Sequence, residues 1–510
     1  MSWIHPLAAD LDETPDTIGG KAYGLVVLHR LGLPVPAGFV IGTDACHAFL
    51  RDGRFPDGLH DELATAVADL ETATHRRFGG AERPLAVSVR SGGAVSMPGM
   101  MSTILNVGLT TGATAALATE TGDRRFALDA RRGFLSSYAE AVRGPESRTS
   151  RPGHPPVPDD AGGQLAAAIA AVFSSWDTPR ARTYREINDI PHRPGTAVTV
   201  QAMVFGNRDD HSGTGVAFSR DPNTGARVPF GELLFGQQGE AVVSGRSATR
   251  PLRELADREP TVWAGLLRAL HRIEEHHRDA CYVEFTFEAG ELWILQVRPG
   301  RFGGRAGIRV AVDLATEGTI GRHEALLRVT PADLPHAGLS RMETAGAEIL
   351  ARGVGACPGV ALGAVATTAD SAVRMAVAGP VILVRPETSP LDLHGLAAAV
   401  GVVTARGGPA SHAAVVARAM GKPAVVGITD LTVADGVVRA GGRVLPEGTL
   451  VTIDGTGGEV VVGRAAIVTG TTDPEFLRLL EWADDAASDT SDRSPAERLR
   501  AAQAALRPRA

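Results

Sequence analysis

One short run, Val402 to Gly421, leaves this chain few options. Val402-Val403-Thr404-Ala405 reads as a buried strand, and Arg406-Gly407-Gly408-Pro409-Ala410 as a tight loop. Ser411 stands where a side-chain oxygen can cap a helix, which then runs through Ala413 to Met420 and is closed by Gly421. Strand, glycine turn and helix in immediate succession require a sheet with a helix laid against it. The same texture extends from about Glu348 to Ile467, rich in Val, Ala and Gly, with short strands and helices alternating. Earlier in the chain, Ala86 to Arg90 and Val198 to Phe205 have strand character. Val262 to His277 reads as an amphipathic helix with Trp263, Leu266, Leu267, Leu270 and Ile273 on one face. Lys21 to Leu31 reads as a helix that starts after a Gly-Gly pair and stops at Gly32-Leu33-Pro34. The fold class is α/β and α+β, in several domains.

The loop–helix junction places His412 at a helix N-terminus. There the helix dipole disfavours an imidazolium and leaves a neutral, nucleophilic nitrogen. The free N–H groups of the first turn would also stabilise a phosphoryl dianion attached to that ring. A covalent phosphohistidine is one reading, since nucleophilic catalysis divides one transfer into two. A structural histidine is the other, and most of the remaining histidines, His276 and His277 included, are assigned that way.

Cys281 to Arg298 reads as a hairpin. A three-residue loop, Ala289-Gly290-Glu291, would put Val283, Phe285 and Phe287 opposite Val297, Leu295 and Trp293 on one apolar side. A slip of one residue exchanges the faces, so burial should select this register. It sets Glu284 opposite Gln296, with Arg298 further along the same face. A carboxylate and an amide oxygen suit Mg²⁺, and an arginine beside them suits a phosphate oxygen; a solvated polar face would use the same residues. Two more segments are compatible with a nucleoside triphosphate. Gly19-Gly20-Lys21 opens a helix towards an anion. Ala86 to Met100 is a strand ending at Arg90 followed by a glycine-rich loop that can cover phosphates, or that is a plain turn. No Walker-type or kinase catalytic-loop pattern is present.

Composition narrows the partners. The net charge of −7 argues against general nucleic-acid binding. Of the 51 basic residues only two are lysines, Lys21 and Lys422, a bias that a GC-rich genome favours. A surviving lysine marks a place where a compact ammonium fits and a guanidinium fork does not, unless codon chance left it there. Cys46, Cys281 and Cys357 lie far apart, without metal-ligand spacing, and fit a reducing compartment. The first residues are acidic and lack a signal-peptide pattern, and no apolar run approaches the ~18 residues of a membrane span. A cytoplasmic location without membrane association is expected.

Five segments together resemble the pyruvate phosphate dikinase family, whose relatives include phosphoenolpyruvate synthases and rifampin phosphotransferases. They are GGKAYGLVVLHRLGLPVPAGFVI from Gly19, SVRSGGAVSMPGMMSTILNVGL from Ser88, VQAMVFGNRDDHSGTGVAFSRDPNTG from Val200, EFTFEAGELWILQVR from Glu284, and VILVRPETSPLDLHGLAAAVGVVTARGGPASHAAVVARAMGKPAVVG from Val381. The resemblance implies an ATP-grasp-like nucleotide-binding domain (1–320), a linker (321–347), a swivelling β/β/α phosphohistidine domain (348–467) and a C-terminal tail (468–510). It implies that ATP is cut to AMP, with the β-phosphoryl carried on His412 and the γ-phosphoryl passed to orthophosphate or water. Lys21, Arg90 and Arg298 would hold phosphates, and Glu284 and Gln296 would bind Mg²⁺ and nucleotide.

The sequence departs from the family pattern in places. Tyr282 replaces the usual acid two residues before the metal glutamate, Gln238-Gly239-Glu240-Ala241 lacks one acid of a QGED motif, and Ala410 replaces a threonine that is a regulatory site in plant dikinases. Full-length dikinases continue into a barrel that binds pyruvate and phosphoenolpyruvate, whereas this sequence stops at Ala510. The phosphoryl acceptor is therefore expected on a separate barrel protein, or to be another small molecule. The competing reading is a non-catalytic, regulatory nucleotide-binding remnant. Against it, Lys21, Arg90, Glu284, Gln296, Arg298 and His412 are all present together.

Overall fold

The computed structural model describes residues 2–95, 97, 100–143, 157–239, 242, 249–300, 302–334, 340–343, 348–409, 411–469, 473–488 and 493–507. Ser96, Pro98 and Gly99 of the glycine-rich segment, Glu240 and Ala241 of the QGED-like run, Ala410, residues 144–156 and part of 321–347 lie outside the described residues. The chain forms two compact units, Met1–Gly213 with Phe285–Val297, and Thr214–Glu284 with Arg298–Ala510.

The first unit is built on β1 (Ile4–Pro6), α1 (Pro15–Arg30), β2 (Gly38–Ile41), β3 (Val87–Gly92), β4 (Thr103–Val107), α2 (Ala161–Ser175), α3 (Pro179–Ile187) and β5 (Ala197–Ala202). Its sheet has the order β1-β2-β5-β3-β4 and is antiparallel throughout. Central β5 and β3 are flanked on both sides, so Val87, Val89, Val198 and Val200 are all buried, packed with Phe134, Phe173 and Ile169. In the β3–β5 register, Arg90 stands opposite Thr199 at the strand end that leads to the glycine-rich loop.

The second unit holds β6 (Gly213–Phe218), β7 (Phe230–Phe235), β8 (Arg250–Pro251), α4 (Pro260–His277) and the start of β9 (Cys281–Glu288), which pairs across a tight turn with β10 (Glu291–Pro299). Helix α4 buries Val262, Leu266, Ala269, Leu270 and Ile273, the face expected from the periodicity, with Trp263 and Leu267 half-buried.

The hairpin turn differs from the expectation. It has two residues, Ala289 (φ 50) and Gly290 (φ 80), instead of three. Positive φ at both central positions is the turn whose twist matches that of paired strands. It is anchored by Gly290 N–H donating to the His211 carbonyl at 2.9 Å and Ala289 N–H to Ser212 Oγ at 3.0 Å. Ile294, Gln296 and Val297 of β10 are buried while Trp293 and Leu295 are half-buried, so strict alternation breaks at Gln296-Val297. Simple two-faced burial is therefore not what sets this register.

After α5 (Gly304–Thr316), the segment read as a linker opens with a helix, α6 (Arg322–Arg328). Then come β11 (Ile349–Arg352), β12 (Val354–Cys357), β13 (Val360–Ala366), α7 (Ala369–Ala376), β14 (Val381–Arg385), α8 (Leu393–Ala398), β15 (Gly401–Thr404), α9 (His412–Ala419), β16 (Ala424–Val426), β17 (Leu450–Asp454) and β18 (Glu459–Val462). The eight strands order as β11-β18-β17-β13-β14-β15-β16-β12, with β13 to β16 parallel at the centre. One face packs Val365, Ile382, Val403 and Ile453. The other receives the helices through small residues, Ala413, Ala414 and Ala417 of α9 among them. The tail adds α10 (Pro474–Ala487) and α11 (Pro495–Leu506). Its Ala483, Leu499 and Ala502 are buried against Ile308, Val312 and Leu326.

Lys422 has a defined structural place. Its ammonium donates to the carbonyls of Leu396 at 3.0 Å, Ala399 at 2.6 Å and Ala397, collecting the free acceptors at the C-terminus of α8. We expect Lys422→Met to lower the unfolding free energy by about 1–3 kcal/mol, the scale of a charged hydrogen-bond donor removed from a helix end. Urea denaturation followed by circular dichroism measures this.

Candidate active site

In the first unit the site begins with a backbone that only glycine can form. Gly19 interrupts α1 at φ 76 and ψ 150, and a β-carbon there would lie 2.0 Å from the Gly92 carbonyl oxygen. The helix restarts at Gly20, whose N–H donates to the Gly93 carbonyl at 3.0 Å. Lys21, the next residue, sends its ammonium to the Ser91 carbonyl at 2.9 Å. Arg90, on the same strand, reaches the hairpin: Nη1 donates to the Leu295 carbonyl and Nη2 to Gln296 Oε1, each at 3.2 Å. Lys21, Arg90 and Gln296 are thus gathered around the end of β3 where the glycine-rich loop departs.

In the second unit Glu284 and Arg298 approach to 3.8 Å between Oε1 and Nη2, both partly exposed. Tyr282 packs on Phe218 with ring centroids 5.0 Å apart, and burial pushes its phenol well above the ordinary range, with the Glu284 charge adding to the effect. A hydroxyl and ring held in this aromatic contact do not replace an acid; they are a neutral side chain.

His412 opens α9. Its Nδ1 lies 3.1 Å from Thr388 Oγ1. Burial pushes the imidazole below its usual value, against an opposing pull from the Asp392 carboxylate. Asp392 is itself compensated, accepting from Ser389 N–H at 2.8 Å and Ser389 Oγ at 3.1 Å and standing 3.2 Å from Arg385. Ser411 occupies the N-cap position but, contrary to expectation, its hydroxyl makes no cap bond; among the described residues its buried Oγ has no partner. Gly407, at φ 105, brings the loop back so tightly that a β-carbon there would meet Ser411 Oγ at 2.9 Å. That fold-back holds the serine side chain against the loop instead of the first helical N–H groups.

The loop is fixed from behind. Arg418, at the far end of α9, donates to the Pro409 carbonyl at 2.6 Å and the Ala356 carbonyl at 2.8 Å, with its guanidinium 5.6 Å from the Phe218 ring. At Gly408 a β-carbon would lie 1.7 Å from Glu232 Oε2, so the loop backbone rests directly on a buried carboxylate of β7. Asn223 donates to the Gly355 carbonyl at 3.2 Å. Thr388, Asp392, Glu232 and Arg418 were not singled out from sequence. The turn-rich run Pro386-Glu387-Thr388-Ser389-Pro390 marks a turn around Thr388 but not its meeting with His412, and Asp392 lies two residues beyond the run.

Glu284 offers a carboxylate and Gln296 an amide oxygen, donor types that a hard cation takes, but Gln296 Oε1 already accepts from Arg90, and the expected placing of Glu284 opposite Gln296 depended on the three-residue turn that the hairpin does not have.

Residues 15–76 and 50–252 match the pyruvate phosphate dikinase AMP/ATP-binding domain, and residues 377–458 match the mobile domain of PEP-utilising enzymes. The chain is 39% identical over 539 residues to a pyruvate, phosphate dikinase of Rhizobium meliloti, covering 94% of this chain and 60% of that protein. It is 38% identical over 513 residues to pyruvate, phosphate dikinase 2 of Zea mays (92% and 58%). With the Clostridium symbiosum enzyme the identity is 36% over 529 residues (94% and 60%). The chain spans about 60% of the length of these curated relatives.

The electrostatics give a signed expectation. A histidine whose folded-state value is depressed takes up protons less readily folded than unfolded, so its contribution to stability is lost as pH falls through the ordinary value of 6.5. We expect His412 to titrate below 6.5, and Asp392→Asn to move the midpoint further down by removing the carboxylate that favours imidazolium. Imidazole ¹⁵N shifts followed against pH, with His412→Asn for assignment, check both; an upward move in the asparagine variant contradicts the arrangement.

Proposed function

The chain belongs to the pyruvate phosphate dikinase family, and from that premise we propose that it is a dikinase-type phosphotransferase that loads His412 from ATP. ATP is cleaved to AMP, the β-phosphoryl is carried on the imidazole, and the γ-phosphoryl leaves to orthophosphate or water. The acceptor is pyruvate on a separate barrel protein or another small molecule. The observation that carries this reading is the setting of His412: neutral by burial, first in its helix, with one ring nitrogen engaged by Thr388.

Each residue has a part. With Nδ1–H donated to Thr388, the lone pair resides on Nε2, which becomes the nucleophile. The first-turn N–H groups of α9 face the dianion once it is attached. Lys21 and Arg90 neutralise phosphate oxygens beside the glycine-rich loop, and Arg298 does the same from the hairpin. Glu284 and Gln296 would hold Mg²⁺, which when bound would draw charge from the phosphate oxygens.

Incubation with ATP labelled at the β-phosphorus, Mg²⁺ and orthophosphate is expected to give an acid-labile, base-stable labelled protein together with AMP. His412→Ala should abolish the label; label persisting there refutes the assignment, and an unlabelled wild type favours a regulatory remnant. Lys21→Arg should cut the labelling rate by about tenfold or more despite keeping the charge, because a planar fork does not fit where a compact ammonium does. Measured initial rates near those of the wild type would contradict this.

A further inference from the structure

Gly93 of the glycine-rich loop lies beside the edge of an indole. A β-carbon built there would stand 3.5 Å from Cζ3 of Trp176, which ends α2 and is 3% exposed. The ring is itself fixed from several sides. The guanidinium of Arg185, 0% exposed, stands 4.1 Å from the ring centroid, where the ring's negative face attracts a cation. Arg185 Nη1 donates to the Trp176 carbonyl at 2.8 Å and Nε to His192 Nδ1 at 3.1 Å. The indole N–H donates to the His192 carbonyl at 3.1 Å.

The same corner between α2 and α3 meets Met97, Met100 and Ser102 at and after the loop. Ser102 N–H donates to Ser175 Oγ at 3.2 Å, and Arg180 Nη2 to the Met100 carbonyl at 3.4 Å. Met97 and Met100 are buried with Trp176 and Ala181. From the opposite side Gly20 donates to Gly93. A turn between two helices does not require a desolvated guanidinium. Among the described residues Arg185 Nη2 has no hydrogen-bond partner, and Asp177 is 3.8 Å away. Burying such a group costs free energy where its pairing is incomplete. Here it lies on the ring of Trp176, whose edge stands beside Gly93.

We infer that Trp176, clamped by Arg185, is a positioning residue for nucleotide binding: it is the platform that fixes where the backbone N–H groups of the glycine-rich loop meet phosphate oxygens. The inference rests on the nucleotide reading above and adds a residue from outside every segment that carried it.

The test begins with calorimetric titration of the wild-type chain with the non-hydrolysable analogue AMP-PNP and Mg²⁺. Subtracting the emission spectrum of Trp176→Phe from that of the wild type isolates this indole. The difference spectrum is expected to change at the nucleotide concentration that gives the heat. Trp176→Leu is expected to raise KM for ATP by about tenfold or more with kcat for AMP formation within about threefold, and Trp176→Phe to restore most of the loss. Arg185→Met should move KM the same way. Binding heat with an unchanged difference spectrum, or a leucine variant that loses kcat at unaltered KM, overturns the inference and leaves the nucleotide reading standing. A wild type that binds neither AMP-PNP nor ATP removes the nucleotide reading, and this one with it. If the leucine variant does not fold, the wild-type difference spectrum decides alone.

Discussion

A β-carbon at Gly19 would be 2.0 Å from the oxygen of Gly92, and the nucleotide-side arrangement follows from that absent atom. Because the two backbones touch, α1 must break and begin again at Gly20, presenting fresh N–H groups beside the end of β3. Lys21 is then one residue into the new helix, close enough to reach the Ser91 carbonyl. Arg90 is one residue before that carbonyl and reaches the hairpin. Substituting any side chain at Gly19 would separate the helix start from the strand end, whatever happened to the charged groups. The same device recurs at Gly408, where the loop before His412 lies on the carboxylate of Glu232. In both places the chain uses missing side chains to bring main chain to where chemistry is proposed.

The two lysines show how far substitution by arginine can go. A guanidinium suits planar, bidentate partners, and Arg220 uses both of its edges on Glu274 and Glu317. An ammonium suits carbonyl oxygens that converge on a point. Lys422 meets three such oxygens at the end of α8, and Lys21 meets one beside a crowded glycine backbone. The compositional oddity thus has a geometric answer at both positions, although only Lys21 stands near the candidate site.

Local order was legible where short-range rules act alone. The strand and helix around His412 and the buried face of α4 depend on residues a few places apart, as does the helix start at the Gly19-Gly20 pair, although a turn of helix from Pro15 precedes the break at Gly19 and was not expected. The hairpin turn was misjudged because burial was taken to choose the register, while the positive φ values of Ala289 and Gly290 and their bonds to Ser212 and His211 chose the shorter turn. Ser411 has the right residue type and position for a cap, but the fold-back at Gly407 directs its hydroxyl elsewhere. Thr388 and Trp176 were invisible for a plainer reason. Each acts on a group distant in sequence, Thr388 on His412 and Trp176 on Gly93, and no periodicity or spacing encodes such a meeting. The tail helices illustrate the same point, since Leu499 becomes core only once Ile308 and Leu326 are there to receive it.

The histidine is tuned by opposition. Burial alone would hold the ring neutral so firmly that proton exchange at Nδ1 would be hard to couple to anything. A bare carboxylate beside it would do the reverse and favour imidazolium, which has no lone pair to offer. Asp392 sits between these extremes, because Ser389 and Arg385 already compensate much of its charge. Thr388 then engages one nitrogen without adding charge. Arg418 completes the setting from the other end of α9 by tying Pro409 and Ala356, so the loop that presents the ring is braced by its own helix. A neutral imidazole, one nitrogen engaged and the other at a helix start, meets the needs of a reversible phosphoryl carrier: it can accept a group without first losing a proton from a cation, and it can release that group to a competing nucleophile without passing through a strained anion.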